Sequence, residues 1–200
     1  TPSSVVASVS TSGITTKDAS GGLVDTVSTG VRTDGITAGA LTSMAFSSAA
    51  AATAGIKGLG TVGFTTAGQV GVGGKVVVTF PTHSEKPCFG FNTNDDTTPT
   101  VLFTTPSDGT KPTATGAFVD GDQTAGTPVA SVLTLTTTGS NKLLQGAAHE
   151  FTIADLRNPS SVVAAATLSV TTKDCEDGVI DGPTTVATPQ IGAGALTSMA

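Results

Sequence analysis

Apolar and polar residues alternate in short bursts along this chain, and each burst is too brief for a helix. ALTSMAFS (40–47) and GTVGFTT (60–66) alternate at period two. KVVVTF (75–80) is a β-branched run closed by Pro81, and TVLFTT (100–105) stops at Pro106. VASVLTLTT (129–137), HEFTIADL (149–156) and SVVAAATLSVTT (161–172) complete the series. Period two sends successive side chains to opposite faces, so one face of each segment is apolar and the other is wet. Turn-forming clusters lie between them: GQVGVGG, NTNDD, PSDGTKP, DGDQTAG and TGSN. Short strands separated by such turns predict an all-β fold, an antiparallel Ig-like β-sandwich. SSAAAATAGIKG (47–58) is alanine-rich but has no amphipathic period, so a loop or a single turn is expected there.

The pattern also repeats on a longer scale. AGALTSMA stands at 38–45 and again at 193–200, PSSVVA at 2–7 and 159–164, and TTKD at 15–18 and 171–174. Gly22, Asp25 and Ile36 align with Gly178, Asp181 and Ile191, and the offset drifts from 157 to 155. Such drift is what single-residue loop deletions leave between two homologous copies. Three segments follow: 37–192 as a complete sandwich unit, 1–36 as the terminal strands of a preceding unit (or donated strands), and 193–200 as the start of the next. A sandwich lacking its last strands exposes sheet edges and core, and strands from elsewhere satisfy both. Residues 1–36 are therefore expected to complete a neighbouring unit; the alternative is that they fold back on their own. The residues expected at the assembly interface are Ala38, Gly39, Ala40, Leu41 and Met44 at the unit start, with Val5, Val6, Ile14, Val24 and Ile36 in the overlap.

Composition narrows the setting. Only 12% of residues are charged, and tryptophan and tyrosine are absent. The net charge of -6, with nine scattered Lys and Arg, argues against nucleic acid as a partner. No apolar run is long enough for a membrane-spanning helix. With so little charge, attached sugar is one route to solubility. The asparagine-linked pattern is missing, since Asn158 is followed by Pro159. Thr97, Thr98, Thr100, Thr104, Thr105, Thr113 and Thr127 lie close to prolines and are candidate sites for O-linked glycans, with plain solvent-facing threonine as the other reading.

Few residues suggest chemistry. GQVGVGGK, ending at Lys75, lacks the first glycine of a phosphate loop and runs into Val76 and a strand, so it reads as a hairpin turn. His83 and His149 lie in separate segments, with no converging partners for a zinc site or a catalytic triad. Cys88 and Cys175 are a disulfide candidate in an oxidising compartment, or else two free buried thiols. Acidic clusters occur at Asn92–Asp96, at Asp120 and Asp122, and at Asp174, Glu176, Asp177 and Asp181. The last is the first candidate for calcium, because it sits near a unit boundary. Polar turn residues capping the backbone would give the same pattern. The earlier copy, with Asp18, Ala19, Ser20 and Asp25, loses two of the acids.

AGIKGLGTVGFTTAGQVGVGGKVVVTFP, the later FTIADLRNPSS and the ending TTKDCEDGVID together resemble the tandem β-sandwich repeats (Ig-like or fibronectin-like) of very large secreted or cell-surface proteins of algae and other protists. The resemblance spans most of 38–192. It implies a structural or adhesive extracellular role, with no catalytic residues to carry over and no cofactor. The expectation is thus a non-enzymatic subunit or repeat of an extracellular filament or surface appendage, with identical units as head-to-tail partners. The alternative is an adhesin-type module whose 83–98 or 106–128 loops grip carbohydrate or another surface.

Overall fold

The computed structural model describes residues 4–25, 28–48, 52–82, 89–90, 98–106, 110–121 and 129–195, with backbone alone at 9–12, 14 and 28–33. Among these residues there is no helix. Two antiparallel sheets face each other. One holds β3 (Thr42–Ser47), β4 (Lys57–Thr65), β9 (Ala148–Arg157) and β6 (Val101–Thr105) in that order. The other runs β11 (Val179–Ala187), β10 (Thr167–Lys173), β5 (Lys75–Thr79), β8 (Val132–Thr138) and β7 (Thr113–Val119). The order β3-β4-β9-β6 reproduces the A-B-E-D sheet of immunoglobulin-like sandwiches, and β11-β10-β5 reproduces G-F-C. β8 and β7 widen the second sheet beyond β5. On one flank β3 approaches β11, and on the other β6 approaches β7.

The alternation of the sequence is the alternation of burial. In β8, Leu133, Leu135 and Thr137 point inward while the residues between them are half exposed. β5 offers Val76 and Val78, and β10 offers Leu168, Val170 and Thr172. The opposing sheet supplies Val62, Phe64, Phe103, Phe151 and Ile153. Phe151 stands edge-on to Phe103 at 5.6 Å between centroids and to Phe64 at 6.4 Å. Phe46, Phe80, Phe89 and Phe118 form a second aromatic group, with Phe80 and Phe89 5.4 Å apart. Edge-to-face contacts suit the ring quadrupole and add to the area buried.

The sandwich has two distinguishable ends. One carries Lys75, Ala148 and the β10–β11 turn. The other carries Thr79, Arg157, Gly90 and the 52–56 segment, where Thr53 bridges Gly192. We call these the turn end and the far end. Before the unit, β1 (Val9–Ile14) and β2 (Ser28–Thr33) form a separate two-stranded sheet, in contact chiefly with each other. Among the residues whose side chains are described, every buried apolar one lies at Leu41 or later.

Some expectations shift. β7 and β11 carry weak alternation signals. In β7 the inward positions include Gly116, where a Cβ would stand 2.9 Å from Pro99 Cγ. In β11, Gly182 and Pro183 mimic a turn inside a strand; the strand lies at a sheet edge, where a missing N–H is tolerated. β10 begins at Thr167 and not at 161, because Val163 pairs with Ile191 outside the ladder.

Phe151→Ala is expected to lower unfolding free energy by about 3–5 kcal/mol, since two aromatic partners lose their contact and a cavity remains. Leu102→Ala, on the outer face of β6 and 62% exposed, should change it by less than about 0.5 kcal/mol. Urea unfolding of both variants checks the contrast.

Candidate functional site: the hairpin and its junction

The duplicated sequence is duplicated structure. At the tip of β10–β11, Asp174 Oδ1 accepts the Glu176 and Gly178 amides at 2.9 and 2.7 Å, and Asp174 N–H donates to the Gly178 carbonyl at 2.8 Å. At the tip of the first hairpin, Asp18 Oδ1 accepts the Ser20 and Gly22 amides at 2.9 and 2.8 Å, and Asp18 N–H donates to Gly22 at 2.8 Å. An aspartate before a tight turn replaces a backbone acceptor in this way. The bridge Lys17↔Leu23 matches the pair Lys173↔Val179, and Val6↔Ile36 at the hairpin base matches Val163↔Ile191.

One further pair is shared, and its surroundings differ. The Thr172 hydroxyl donates to Asp181 Oδ2 at 3.1 Å while the Asp181 amide donates back to Thr172 Oγ1 at 3.0 Å. Asp181 Oδ1 also takes the Gly68 amide at 2.9 Å. The Asp181 backbone is bracketed by Gly39, whose N–H donates to the Ile180 carbonyl at 2.8 Å and whose carbonyl accepts from Gly182 at 2.9 Å. Only glycine fits at 39, because a Cβ would collide with Asp181 Oδ1 and stand 2.7 Å from Ala67 Cβ. The carboxylate is fully buried. Burial pushes its pKa above the ordinary carboxylate value, and the Thr172 hydroxyl and the Gly68 and Ala67 amides act against that rise. In the first hairpin Thr16 donates to Asp25 in the same manner, yet both residues are exposed. No counterpart of the 67–68 loop reaches Asp25 among the described residues.

The base of the first hairpin meets the turn end of the unit. Val5 N–H donates to the Val179 carbonyl at 2.9 Å, and the Ser4 side chain lies against Gly178. Ser4 and Ile36 there line a crevice with Gly68, Gln145, Ile180 and Asp181. Of the residues expected at the interface, Gly39 closes on Asp181, Leu41 is buried in the unit's own core, and Met44 packs beside that core. Those three act within the unit. Ala38, Ala40, Val5, Val6 and Val24 are exposed, and Ile36 is half buried. The Ile14 side chain lies outside the described residues.

The other sequence candidates separate. Asp174 is occupied by the turn, and Asp177 reaches away to Lys75 at 2.8 Å. Asp181 is buried below them. The four acids expected to share calcium therefore do not converge, and no group of three or more His, Cys, Asp or Glu suited to a metal occurs among the described residues. Hydrogen bonding to Lys75 holds the exposed Asp177 carboxyl below its ordinary value. Cys175 carries a free, exposed thiol at the turn end. Cys88 lies outside the described residues, while Phe89 beside it accepts a bond from Ser131 at the far end, a strand length away. Thr97 and Thr127 lie outside the described residues. Thr98 and Thr100 are exposed, and Thr105 is half buried. The Thr104 and Thr113 hydroxyls donate to Glu150 and to the Thr138 carbonyl. His83 lies outside the described residues. The His149 ring is buried near Phe64, 3.5 Å from the Leu144 carbonyl, and burial pushes its pKa below 6.5.

The sequence did not single out Asp181 as a buried fastening. The signal lies in the repeated Thr-Thr-Lys-Asp…Asp spacing, but in the sequence Asp181 groups with Asp174, Glu176 and Asp177 as an acidic cluster.

Two pH effects follow. The folded state holds the Asp181 proton more tightly than the unfolded chain, so this group's contribution to stability falls as pH rises upward from 3.8. His149 stays neutral in the fold while the unfolded chain takes a proton, so its contribution falls as pH drops below 6.5. Asp181→Asn should flatten the first dependence. It should also cost about 1–3 kcal/mol near neutrality, because both carboxylate oxygens accept and an amide nitrogen must face a donor. His149→Gln should flatten the second. Urea unfolding from about pH 4 to 7 measures both slopes. No known protein family, no curated protein and no solved structure matches this chain.

Proposed function

We infer that this chain is a non-enzymatic structural repeat of an extracellular filament or surface appendage, whose identical units follow head to tail through strand pairing. One observation carries the reading. The β1–β2 hairpin has the turn, the base bridge and the Thr–Asp pair of β10–β11, but lacks the loop and sheet that β10–β11 docks on. β10 lies between β11 and β5, so the matching edge of β1 is the place for a β5 of another body. An unpaired strand edge is a ready template for such pairing. A hairpin that belongs to one body and a chain that continues into the next is a heterologous, non-closing arrangement, which extends in a row. The low charge and the threonine-rich strand faces suit an extracellular setting. The resemblance to protist surface repeats points the same way.

The carbohydrate-binding alternative draws no support from the rings. Every described phenylalanine is buried or packed against the core, which leaves none of them for stacking on sugar.

Complementation tests the reading. A 37–158 fragment lacks β10 and β11, and is expected to aggregate when refolded alone. Refolded with the full chain it should be recovered as a soluble one-to-one complex, with β1–β2 seated beside the fragment's β5. Refolded with 37–200, which has no free hairpin, it should not be rescued. Equal recovery with both chains, or with neither, overturns the proposal.

A further inference from the structure

The contact between Ser4–Val5 and Gly178–Val179 has a second use, because both partners recur. Ser4 and Val5 belong to the first PSSVVA, and their counterparts in the second are Ser161 and Val162. Ser4 lies against Gly178, and Val5 donates to the Val179 carbonyl. At the far end no turn meets the counterparts in this way among the described residues. The Ser161 hydroxyl is buried with no hydrogen-bond partner among the described residues, and Val162 is 45% exposed. A buried hydroxyl left unmatched is costly, which singles out this spot from ordinary surface. The base bridges Val6↔Ile36 and Val163↔Ile191 hold the two copies of the segment alike. The segment that meets Gly178–Val179 in one place leaves Val162 exposed in the other.

We propose that the far end, at Ser161 and Val162, is the docking surface for the turn end of a second copy of this unit. The arriving Gly178–Val179 turn packs over the exposed Val162, and its Val179 carbonyl accepts from the Val162 amide as it does from that of Val5. This rests on the head-to-tail reading and adds to it the end-on contact between complete units, separate from the completion of one body by a hairpin. The contact is small, so it gains its strength from units held on one chain, where the effective concentration is high. The turn end is met by Ser4 and Val5, whereas at the far end Val162 is exposed among the described residues.

The unit without the cap keeps both sheets and every core residue, so 37–200 serves as the test protein. In a background with both cysteines replaced by serine, Val162→Cys with Gly178→Cys should give a ladder of disulfide-linked multimers from concentrated 37–200. The same pair in the full chain should give no ladder, because its own Ser4 covers residue 178. Ser4→Cys with Gly178→Cys in the full chain should close within one molecule, which shows that residue 178 tolerates cysteine. A cysteine-free measurement runs beside these. Sedimentation of 37–200 should show concentration-dependent association that the surface change Val162→Glu abolishes. The proposal is overturned if the 162–178 pair fails to cross-link while the 4–178 pair closes, or if cross-linking is the same with residues 1–36 present. It is also overturned if Val162→Glu leaves association unchanged. The complementation of the 37–158 fragment is a separate readout, so the end-on contact can fail while hairpin exchange stands.

Discussion

A buried carboxylate ties the unit shut. Asp181 sits on the last strand, takes a hydroxyl from β10 and an amide from the 67–68 loop, and is flanked by Gly39 at the start of the unit. Those partners come from the beginning, the middle and the end of the unit's sequence. A charge in such a place is tolerated only when its acceptor capacity is met by donors, and here the donors are spread across the fold. The last hairpin cannot lie elsewhere without leaving Asp181 unmatched. That constraint fixes the closing strands, sets the gap that only glycine fits, and defines the turn end of the sandwich.

The first hairpin shows what the same residues do without that setting. Asp18 makes the turn as Asp174 does, and Thr16 meets Asp25 as Thr172 meets Asp181. Local hydrogen bonds are enough to reproduce the hairpin. They do not bury Asp25, because burial needs a facing sheet and an incoming loop. The difference separates local from global stabilisation within one chain. It is also what the proposal of strand exchange builds on: an element whose local form is made without a facing sheet among the described residues.

In the proposed row two kinds of contact would divide the work. Hairpin completion would use many backbone bonds, which makes it specific in register. An end-on contact like that of Ser4–Val5 with Gly178–Val179 would use few atoms and set how one unit sits on the next.

The alternation of apolar and polar residues, with its Gly and Pro punctuation, determined by itself that the described residues would be all-β, and each of the seven segments it marked contains a strand. The duplication determined that residues 1–36 and 157–192 would share a form, and their described turns and bridges do, down to the aspartate of each turn. These features were legible because strand period, turn chemistry and repetition are properties of neighbouring residues. The tertiary structure alone decided the rest. It placed Gly116 under Pro99 and made β7 a strand despite its weak pattern. It put Cys175 and Phe89 at opposite ends, and it parted Asp174, Asp177 and Asp181, which the sequence had grouped. It assigned Leu41 and Met44 to the unit's own core. Each of these depends on which strands become neighbours across long stretches of chain, and pairing between distant segments is set by the whole packed core, not by any one segment's pattern.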